Sequence, residues 1–477
     1  MSSFYIENFG CRATQADGAA IERQFREQGL DRAPERGAAR FVVLNTCAVT
    51  ASAEQDARAA IRRIRRENPT CEVIVTGCYA QRAPSEVAAL PGVALVVGNS
   101  HKHNLAQIAL GRQSEKNSNY QGSFVPVTTL DGGTRYSIFV SDIFAHTELI
   151  AAPVFDSANE RTRPNLKVQD GCNNRCSFCI IPSVRGRSRS LKLDEVVREV
   201  NQLVDARYRE VVISGINLGQ WGRDLQVWGG PALSGVERGP RPPRLEDLIR
   251  AILDHTSLEK LRISSVEPMD WTDAFIQLMA ESPRIAKHAH VPMQSGSDSV
   301  LRRMHRRYRP WHYREKIEKI RAAMPVAAIG ADVMTGFPGE TDAEFEETRR
   351  MIEDLALTYL HVFTFSARPG TPAAAMQNQV PVSVARERNR ILRELVAEKK
   401  RKFMDSFVGQ RLEAITLNVR SAPSDERSEA PWTDTLTDNY LKLRLQGRHE
   451  PNHWMSVNVL HAAEGQLVGT SDPSYRC

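Results

Sequence analysis

The stretch GCNNRCSFC, residues 171–179, places three cysteines in one short segment with the spacing C-x₃-C-x₂-C. Thiolates are the ligands that hold iron–sulfur clusters in proteins. A four-iron cluster held by only three thiolates keeps one iron open to another ligand. The segment therefore predicts a cluster that takes part in chemistry rather than in plain electron transfer.

Zinc is the other metal that such a segment could bind. C-x₂-C pairs are common in zinc sites, but those sites normally contain two pairs or add histidines. Residues 171–179 contain neither a second pair nor a histidine. This favours a cluster whose open iron binds the amino and carboxylate groups of S-adenosylmethionine and cleaves it to a 5′-deoxyadenosyl radical.

Length and composition are those of an ordinary multidomain protein. The 477 residues predict two or three domains, and 41% hydrophobic with 25% charged residues is typical of globular chains. There is no run of about 18 apolar residues, and the N-terminus MSSFYIENFG lacks the features of an export signal. We therefore expect a soluble, cytoplasmic protein with no membrane segment. The net charge of +6 is mild but has the sign of a nucleic-acid binder.

The first hundred residues alternate apolar runs with amphipathic stretches, which predicts a small α/β domain with a parallel sheet. The predicted strands are Phe4–Glu7, Phe41–Leu44, Val73–Thr76 and Leu95–Val97. Cys11, Cys47 and Cys78 follow three of these strands. The carboxyl ends of parallel strands gather at one edge, so these cysteines are candidates for a second metal site. The alternative is that each is an ordinary buried cysteine.

The other two cysteines fit neither group, and no export signal suggests disulfides. Cys71 opens a predicted strand and is expected in the core, with a role as a fourth ligand as the alternative. Cys477 is a tail residue with no expected partner.

An arginine-rich helix is predicted between Cys47 and Cys78, beginning at a capping box of Ser52 and Gln55. Helical spacing places several of its arginines on adjoining parts of one face. They are Arg58, Arg62, Arg65 and Arg66, with Arg63 beside them. The face is either simply solvated or a contact for a phosphate backbone.

The central part of the chain predicts a barrel. Residues 113–157 lack periodicity and are interpreted as a linker with a short strand pair near Ser137–Val140. The predicted barrel strands are Leu166–Val168, Val211–Ser214, Leu261–Ser264, His288–Val291, Ala328–Val333 and Leu360–Phe365. Helices Leu193–Ala206, Leu245–His255 and Thr341–Leu355 intervene, and the Gly- and Pro-rich stretch Trp221–Pro243 is an inserted loop. Repeated β/α units place the chemistry at the carboxyl ends of the strands.

The C-terminal part predicts a small β-barrel. A basic helix near Val384–Met404 leads to three β-like runs, Leu412–Val419, Tyr440–Leu445 and Met455–Ala462. Small β-barrels commonly bind oligonucleotides.

Taken jointly, these motifs resemble the radical S-adenosylmethionine methylthiotransferases of the MiaB-like type, over nearly the whole chain. The resemblance rests on the motifs NFGC (8–11), NTC (45–47), TGCYAQ (76–81), residues 171–182, HVPMQSGS (290–297) and GFPGET (336–341). It implies an α/β protein with an N-terminal open α/β methylthiotransferase domain, a central radical SAM partial (β/α)₆ barrel and a C-terminal TRAM β-barrel that grips tRNA. The implied boundaries are 1–112, a linker at 113–157, 158–390, a connecting basic helix at 391–406, and 407–472.

The resemblance also implies roles for particular residues. Cys172, Cys176 and Cys179 would hold the radical-generating 4Fe-4S cluster, and Cys11, Cys47 and Cys78 an auxiliary 4Fe-4S cluster that handles the sulfur. One S-adenosylmethionine would methylate that sulfur and a second would supply the radical that activates the substrate C–H bond. The expected S-adenosylmethionine contacts are Ser214, Gly215, Asn217, Ser265, Gln294 and Asp332. Apart from the cluster ligands, no catalytic residue is assigned.

Three substrates compete within that family: isopentenyl-adenosine 37 of tRNA, threonylcarbamoyl-adenosine 37 of tRNA, and an aspartate of a ribosomal protein. The segments CYAQ (78–81), RISSVE (262–267) and TDNY (437–440) look most like the threonylcarbamoyl branch. Asn8-Phe9 and the Trp221–Pro243 insertion depart from it. The expected partners are the tRNA anticodon stem-loop and a reductant such as flavodoxin or ferredoxin, and the sulfur donor is unknown. A non-catalytic RNA-binding protein with structural cysteine sites is the alternative of a different class.

Overall fold

The computed structural model describes residues 3–111, 137–146, 149, 162–225, 241–417 and 432–471. The chain divides into two compact units. The first comprises residues 1–154, 166–191 and 368–374, and the second comprises 155–165, 192–367 and 375–477. All six predicted cluster cysteines belong to the first unit.

The first unit is built on a parallel sheet with the strand order β2-β1-β3-β4-β5-β6. The strands are β1 (Ser3–Asn8), β2 (Asp31–Arg32), β3 (Phe41–Thr46), β4 (Glu72–Gly77), β5 (Val93–Gly98) and β6 (Ser137–Phe139). Its helices are α1 (Arg12–Glu27), α2 (Ala51–Glu67), α3 (Cys78–Arg82), α4 (Pro84–Ala88) and α5 (Leu105–Gly111). Every residue of β3 is buried, as expected for a central strand covered on both faces.

The four strands predicted here are confirmed, and one detail of the prediction is wrong. Near Ser137–Val140, where a strand pair is predicted, the described residues form strand β6, which extends the sheet by pairing in parallel with β5. Helix α2 begins two residues earlier than its predicted capping box, since Thr50 is the N-cap and its Oγ1 accepts a hydrogen bond from Ala53 N at 3.3 Å. Ser52 already lies inside the helix.

The first unit also contains the segment around residues 171–179. This segment follows β7 (Asn165–Asp170) and precedes α6 (Ile181–Arg185) and the short strand β8 (Arg189–Ser190), which pairs antiparallel with β7. The predicted strand Leu166–Val168 is therefore confirmed.

The second unit contains two parallel groups of strands. They are β9 (Glu210–Gly215) with β10 (Lys260–Ile263), and β11 (His288–His290), β12 (Ala328–Thr335) and β13 (Tyr359–Thr364). The helices are α7 (Leu193–Asp205), α8 (Leu245–His255), α9 (Asp273–Glu281), α10 (Asp298–Arg303), α11 (Pro310–Ala323), α12 (Asp342–Asp354) and α13 (Val382–Asp405). The predicted strands and helices of this region are confirmed. Thr341 and Glu344 form a capping box at the start of α12, with Glu344 N donating to Thr341 Oγ1 at 3.2 Å.

Strands β11 to β13 have two different faces. Ala289, Ile329, Ala331 and Val333 are fully buried on one face. The opposite face carries polar side chains, which we call the polar face: His288, His290, Asp332, Tyr359 and His361. Asp332 and His361 are direct neighbours in the strand register.

The C-terminal strands form a closed barrel with the order β14-β15-β16-β18-β17. They are β14 (Arg411–Thr416), β15 (Trp432–Thr437), β16 (Lys442–Gln446), β17 (Trp454–Ala463) and β18 (Gln466–Ser471). Met404 of α13 and Phe407 pack into the barrel core beside Leu443 and Val457. The predicted barrel is confirmed, and β15 and β18 are strands that the sequence pattern did not indicate. Residues 226–240 of the predicted inserted loop, Val419 and Cys477 lie outside the described residues.

No helix within the described ranges combines the length and the apolar character needed to cross a bilayer.

A buried ion pair stabilises the second unit, and its removal should be costly. Arg262 Nε donates to Glu210 Oε1 at 2.6 Å, and both side chains are buried. Among the described residues, Arg262→Met leaves Arg163, at 3.5 Å, as the remaining ion-pair partner of Glu210, so we expect the free energy of unfolding to fall by about 3–5 kcal/mol in urea denaturation. The control is Arg390→Met, which removes exposed ion pairs to Glu387 and Glu394 and should change stability little. Equal effects of the two variants would contradict the assignment.

Candidate metal centres and cofactor-binding loops

Cys11, Cys47 and Cys78 lie at the carboxyl ends of three neighbouring strands, as the sequence predicted. They follow β1, β3 and β4, which are adjacent in the sheet. Two glycines allow the connecting loops to come close together. A Cβ on Gly10 would lie 2.6 Å from Cys47 Cβ, and a Cβ on Gly77 would lie 2.3 Å from the Thr46 carbonyl oxygen. Both glycines also have positive φ, at 110° and 98°, so other residues would be strained there.

The environment of these thiols suits a cationic metal centre. Burial raises the pKa of Cys47 to about 11, and the neighbouring charge of Cys78 adds to the increase. Few hydrogen bonds offset this repulsion: Val49 N donates to Cys47 Sγ at 3.4 Å, and Asn99 Nδ2 donates to Cys78 Sγ at 3.6 Å. Because thiolates placed together repel each other, a bound metal ion stabilises the set. The donor set therefore fits an iron–sulfur cluster.

The second set of thiols lies in the loop between β7 and α6. Cys172, Cys176 and Cys179 are all partly exposed, and the backbone holds the loop closed, with Cys172 N bonded to the Gly186 carbonyl oxygen at 3.1 Å. Cys179 N donates to the Cys176 carbonyl oxygen at 3.1 Å. Gly171 has a φ of 69°, and a Cβ there would lie 2.0 Å from the Arg187 carbonyl oxygen. Three accessible thiols in a loop of this kind fit a cluster with one open iron.

A buried network of charges joins the two cysteine-bearing regions of the first unit. Arg185 donates to Asp170 Oδ1 and to Asp17 Oδ2, both at 2.9 Å. Asp17 belongs to α1, which begins directly after Cys11, and Asp170 comes two residues before Cys172. Lys102 bonds to Asp17 at 3.0 Å, and Lys167 bonds to both carboxylates. The network therefore ties the two cysteine loops to one set of ion pairs.

The two carboxylates of this network stay ionised. Burial alone would raise the pKa of Asp17, but Lys102, Lys167 and Arg185 hold it far below its usual range. Burial would likewise raise the pKa of Asp170, and Arg185 with Lys167 holds it well below the ordinary value. Sequence reasoning missed these residues, because their partners are distant along the chain.

The residues expected to contact S-adenosylmethionine follow the strands of the second unit. Ser214 and Gly215 end β9, Asn217 comes two residues later, and Ser265 follows β10. The buried Ser214 Oγ has no hydrogen-bond partner among the described residues, as expected of a group that awaits a ligand.

The structure brings together two of the expected contacts, Gln294 and Asp332. Gln294 N donates to the Asp332 carbonyl oxygen at 2.7 Å, and Met334 N donates to the Gln294 carbonyl oxygen at 2.9 Å. Gln294 has a φ of 60°, a rare conformation for a residue with a side chain. These bonds fix the segment after β11 against β12.

The polar face was not singled out from the sequence. His290 Nε2 lies 3.1 Å from Asp332 Oδ1, and the Tyr359 hydroxyl bonds to both His290 Nδ1 at 3.0 Å and His288 Nε2 at 2.6 Å. The alternation of polar and apolar residues in His288-Ala289-His290 is a signal that could have indicated this face.

The arginine-rich face of α2 is partly occupied by ion pairs. Arg58 pairs with Glu86, and Arg63 pairs with Glu7 at 3.3 Å. Arg62, Arg65 and Arg66 are exposed. A contact with a phosphate backbone stays a prediction for these three.

Comparison with known proteins identifies the family. Residues 166–352 match the radical SAM superfamily, and residues 3–98 match the uncharacterized protein family UPF0004. The chain is 34% identical to a threonylcarbamoyladenosine tRNA methylthiotransferase, MtaB, of Bacillus subtilis, over 98% of this chain and 97% of that protein. The chain belongs to the MtaB-type radical S-adenosylmethionine methylthiotransferases. This family uses S-adenosylmethionine and two 4Fe-4S clusters.

Other relatives are similar over their full length. The Rickettsia prowazekii protein with the same name is 33% identical, over 99% of this chain and 96% of that protein. A tRNA-2-methylthio-N(6)-dimethylallyladenosine synthase of Novosphingobium aromaticivorans is 30% identical, over 98% and 97%.

The solved structures show the fold. The radical S-adenosylmethionine methyltransferase TsrM of Kitasatospora setae, with cobalamin and a [4Fe-4S] cluster bound, aligns with a TM-score of 0.57 at 14% identity, over 78% of this chain and 77% of that one. The expected fold class is confirmed: a mixed α/β chain with a radical SAM domain and a small C-terminal barrel.

Iron content should show that each cysteine set holds its own cluster, and the reactions of the variants should distinguish the two sets. After anaerobic reconstitution we expect about eight irons per chain, falling to about four in Cys47→Ala and in Cys176→Ala. Cys176→Ala should abolish formation of 5′-deoxyadenosine, whereas Cys47→Ala should retain it and lose sulfur insertion. Cys71→Ala is the matched control, because Cys71 is partly buried and precedes β4, at the opposite end of that strand from Cys78. Loss of iron in Cys71→Ala, or sulfur insertion by Cys47→Ala, would contradict these roles.

The charge network should make stability depend on pH in the acid range. A carboxyl whose pKa is lowered by folding stabilises the protein above its unfolded pKa, near 4, and this contribution is lost as the pH falls further. Asp17→Asn should therefore lower the free energy of unfolding by about 3–5 kcal/mol at pH 7, and the deficit should shrink below about pH 4. Urea denaturation at a series of pH values measures this.

Asp31→Asn is the control for the Asp17 experiment, since Asp31 is exposed in the same unit. It should follow the wild-type pH profile. A pH-independent deficit in Asp17→Asn would show that the buried carboxylate is not the titrating group.

Proposed function

We propose that this enzyme converts C2–H of N6-threonylcarbamoyladenosine at position 37 of tRNA into C2–SCH₃. The observation that carries the proposal is the full-length similarity to proteins named threonylcarbamoyladenosine tRNA methylthiotransferase, at 33–34% identity in two bacteria. The segments CYAQ (78–81) and TDNY (437–440), which look most like that branch, support the same substrate.

The chain supplies two thiolate sets for two parts of one reaction. When bound, the cluster on Cys172, Cys176 and Cys179 supplies the electron that cleaves S-adenosylmethionine, and the cluster on Cys11, Cys47 and Cys78 presents the sulfur. The Asp17, Asp170 and Arg185 bonds hold the two loops in register with each other. Ser214, Gly215, Asn217, Ser265, Gln294 and Asp332 are proposed to bind and orient S-adenosylmethionine at the strand ends. Fixed geometry matters because a radical must meet its target atom before it reacts elsewhere.

Isopentenyl-type adenosine 37 of tRNA is the second candidate substrate. The observation that favours it is the 30% identity, over nearly the full length, to the dimethylallyladenosine synthase of Novosphingobium aromaticivorans. The chemistry on C2 would be the same, and only recognition of the N6 substituent would differ.

The proposed RNA contact is the anticodon stem-loop of tRNA, held by the small β-barrel. The exposed arginines Arg62, Arg65 and Arg66 provide cationic groups of the kind that bind phosphates.

A flavodoxin or ferredoxin is the proposed reductant, since radical chemistry of this kind needs one low-potential electron. The proposed location of the protein is the cytoplasm, because its proposed substrate is tRNA. The boundaries at 113, 158, 391 and 407 remain the proposed domain limits.

Mass spectrometry of tRNA nucleosides tests the substrate. In a strain from which the gene is deleted, 2-methylthio-threonylcarbamoyladenosine should disappear and its precursor should accumulate, because each adenosine derivative has its own mass. A plasmid copy should restore the product, and the Cys176→Ala copy should not. Loss of the methylthiolated isopentenyl nucleoside with the threonylcarbamoyl product intact would overturn the assignment in favour of the second candidate.

A further inference from the structure

One turn of the small β-barrel lies against the amino ends of the strands of the second unit. The turn Thr437–Leu441 joins β15 to β16. Arg262 Nη1 donates to the Asp438 carbonyl oxygen at 3.1 Å, and Lys260 Nζ pairs with the Asp438 carboxylate at 3.2 Å. Asn439 Nδ2 donates to the Val326 carbonyl oxygen at 3.0 Å. The barrel is therefore held by β10 and by the segment before β12.

Hydrogen bonds within the turn hold its conformation. Thr437 Oγ1 donates to Asn439 Oδ1 at 2.6 Å and accepts from Leu441 N at 2.8 Å. Tyr440 N donates to the Thr437 carbonyl oxygen at 2.9 Å. Tyr440 itself has a φ of 69°, a left-handed conformation that costs a tyrosine about 1 kcal/mol or more. The same backbone conformation sets the direction of the Tyr440 ring.

The Tyr440 ring packs against the first residues of two strands. It stacks on the His288 ring with the centroids 4.2 Å apart, and its centroid lies 5.7 Å from that of Tyr359. The Arg262 guanidinium lies 5.4 Å from the Tyr440 centroid. Aromatic and cation–π contacts of this geometry contribute roughly 0.5–1.5 kcal/mol each.

Hydrogen bonds continue from His288 across the polar face, and their direction follows from chemistry. The Asp332 carboxylate can only accept, so His290 Nε2 carries the hydrogen of the 3.1 Å bond between them. Nδ1 of a neutral His290 then accepts, and the Tyr359 hydroxyl donates to it at 3.0 Å. The Tyr359 oxygen in turn accepts from His288 Nε2 at 2.6 Å. The four side chains form one directed row from His288 to Asp332.

We propose that Tyr440 is a positioning residue for the cofactor site, acting through this row. The stacked Tyr440 ring fixes the orientation of the His288 imidazole. Hydrogen bonds from His288 to Tyr359, and from Tyr359 to His290, then orient the next two side chains. His290 holds the Asp332 carboxylate at the end of the row. The inference rests on the proposed contact between Asp332 and S-adenosylmethionine. It gives the small barrel a role in building the cofactor site, in addition to holding RNA.

Reductive cleavage of S-adenosylmethionine without tRNA tests this role. In the fully reconstituted enzyme reduced with dithionite, Tyr440→Leu should raise the KM for S-adenosylmethionine about fivefold, the effect of losing one aromatic contact. Tyr440→Phe keeps the ring and should stay within about twofold of wild type. Tyr359→Phe removes the hydroxyl that links the two histidines and should raise the KM in the same way, with no cavity to disturb folding.

Trp454→Leu is the matched control. Trp454 is an aromatic residue of the same barrel, and Lys260 Nζ lies 5.0 Å from its ring centroid, but among the described contacts it has none with the row. Its KM should stay at the wild-type value.

Three results would overturn the proposal. They are an unchanged KM in Tyr440→Leu and Tyr359→Phe, an equal rise in Trp454→Leu, and one additional Mn²⁺ bound per chain but lost in His361→Ala. The ligand atoms of His290, Asp332 and His361 lie within 4.8 Å of one another. The last result would mean that these residues bind a metal ion, in place of the hydrogen bond between His290 and Asp332. The assay contains no RNA, so failure to methylthiolate threonylcarbamoyladenosine would contradict the proposed function and leave this result unaffected.

Discussion

The bonds from Arg185 to Asp17 and Asp170 are the constraint on which the reactive part of this chain depends. Buried ions are unfavourable unless they are paired with good geometry, so the segments that carry them are confined to one arrangement. Four cations, Lys102, Lys167, Arg185 and Arg189, face two carboxylates here. The surplus positive charge lies near the thiols: burial would lower the pKa of Arg185, but Asp170 and the Cys78 thiolate hold it well above its ordinary value. The network therefore aligns the two cysteine loops and places positive charge near the thiols.

Local sequence pattern was enough to predict where Cys11, Cys47 and Cys78 lie in the sheet. Cys11, Cys47 and Cys78 each follow a predicted strand, and parallel strands that are neighbours must bring such residues to one edge. The charge network could not be found in this way. Lys167 and Asp17 are 150 residues apart, and Lys167 lies within a short strand where its neighbours Leu166 and Val168 are fully buried. Periodicity says which face a residue occupies but carries no information about a partner at that separation.

The remaining misses have equally local causes. Ser52 and Gln55 have the spacing of a capping box, but Thr50 is the residue that caps the helix, so the predicted cap lies two residues too late. The pairing of β6 with β5 was not predicted, because β5 lies before a long unpatterned stretch. Strands β11 to β13 carry polar residues on one face and apolar residues on the other. The polar face was overlooked because the apolar residues of each strand were already enough to predict the strand.

The attachment of the small barrel shows how one fold can serve two tasks. The proposed cofactor residues lie at or near the carboxyl ends of their strands, and loops there must stay accessible to cofactor and substrate. The turn Thr437–Leu441 instead contacts residues at the start of strands, Lys260 and His288 among them, together with Val326 just before β12. The cost of burying Arg262 is offset by Glu210, and its remaining donors are then free to hold the turn. The described contacts thus fix the C-terminal barrel at the starts of these strands, at the opposite ends from the edge where the chemistry is proposed to occur.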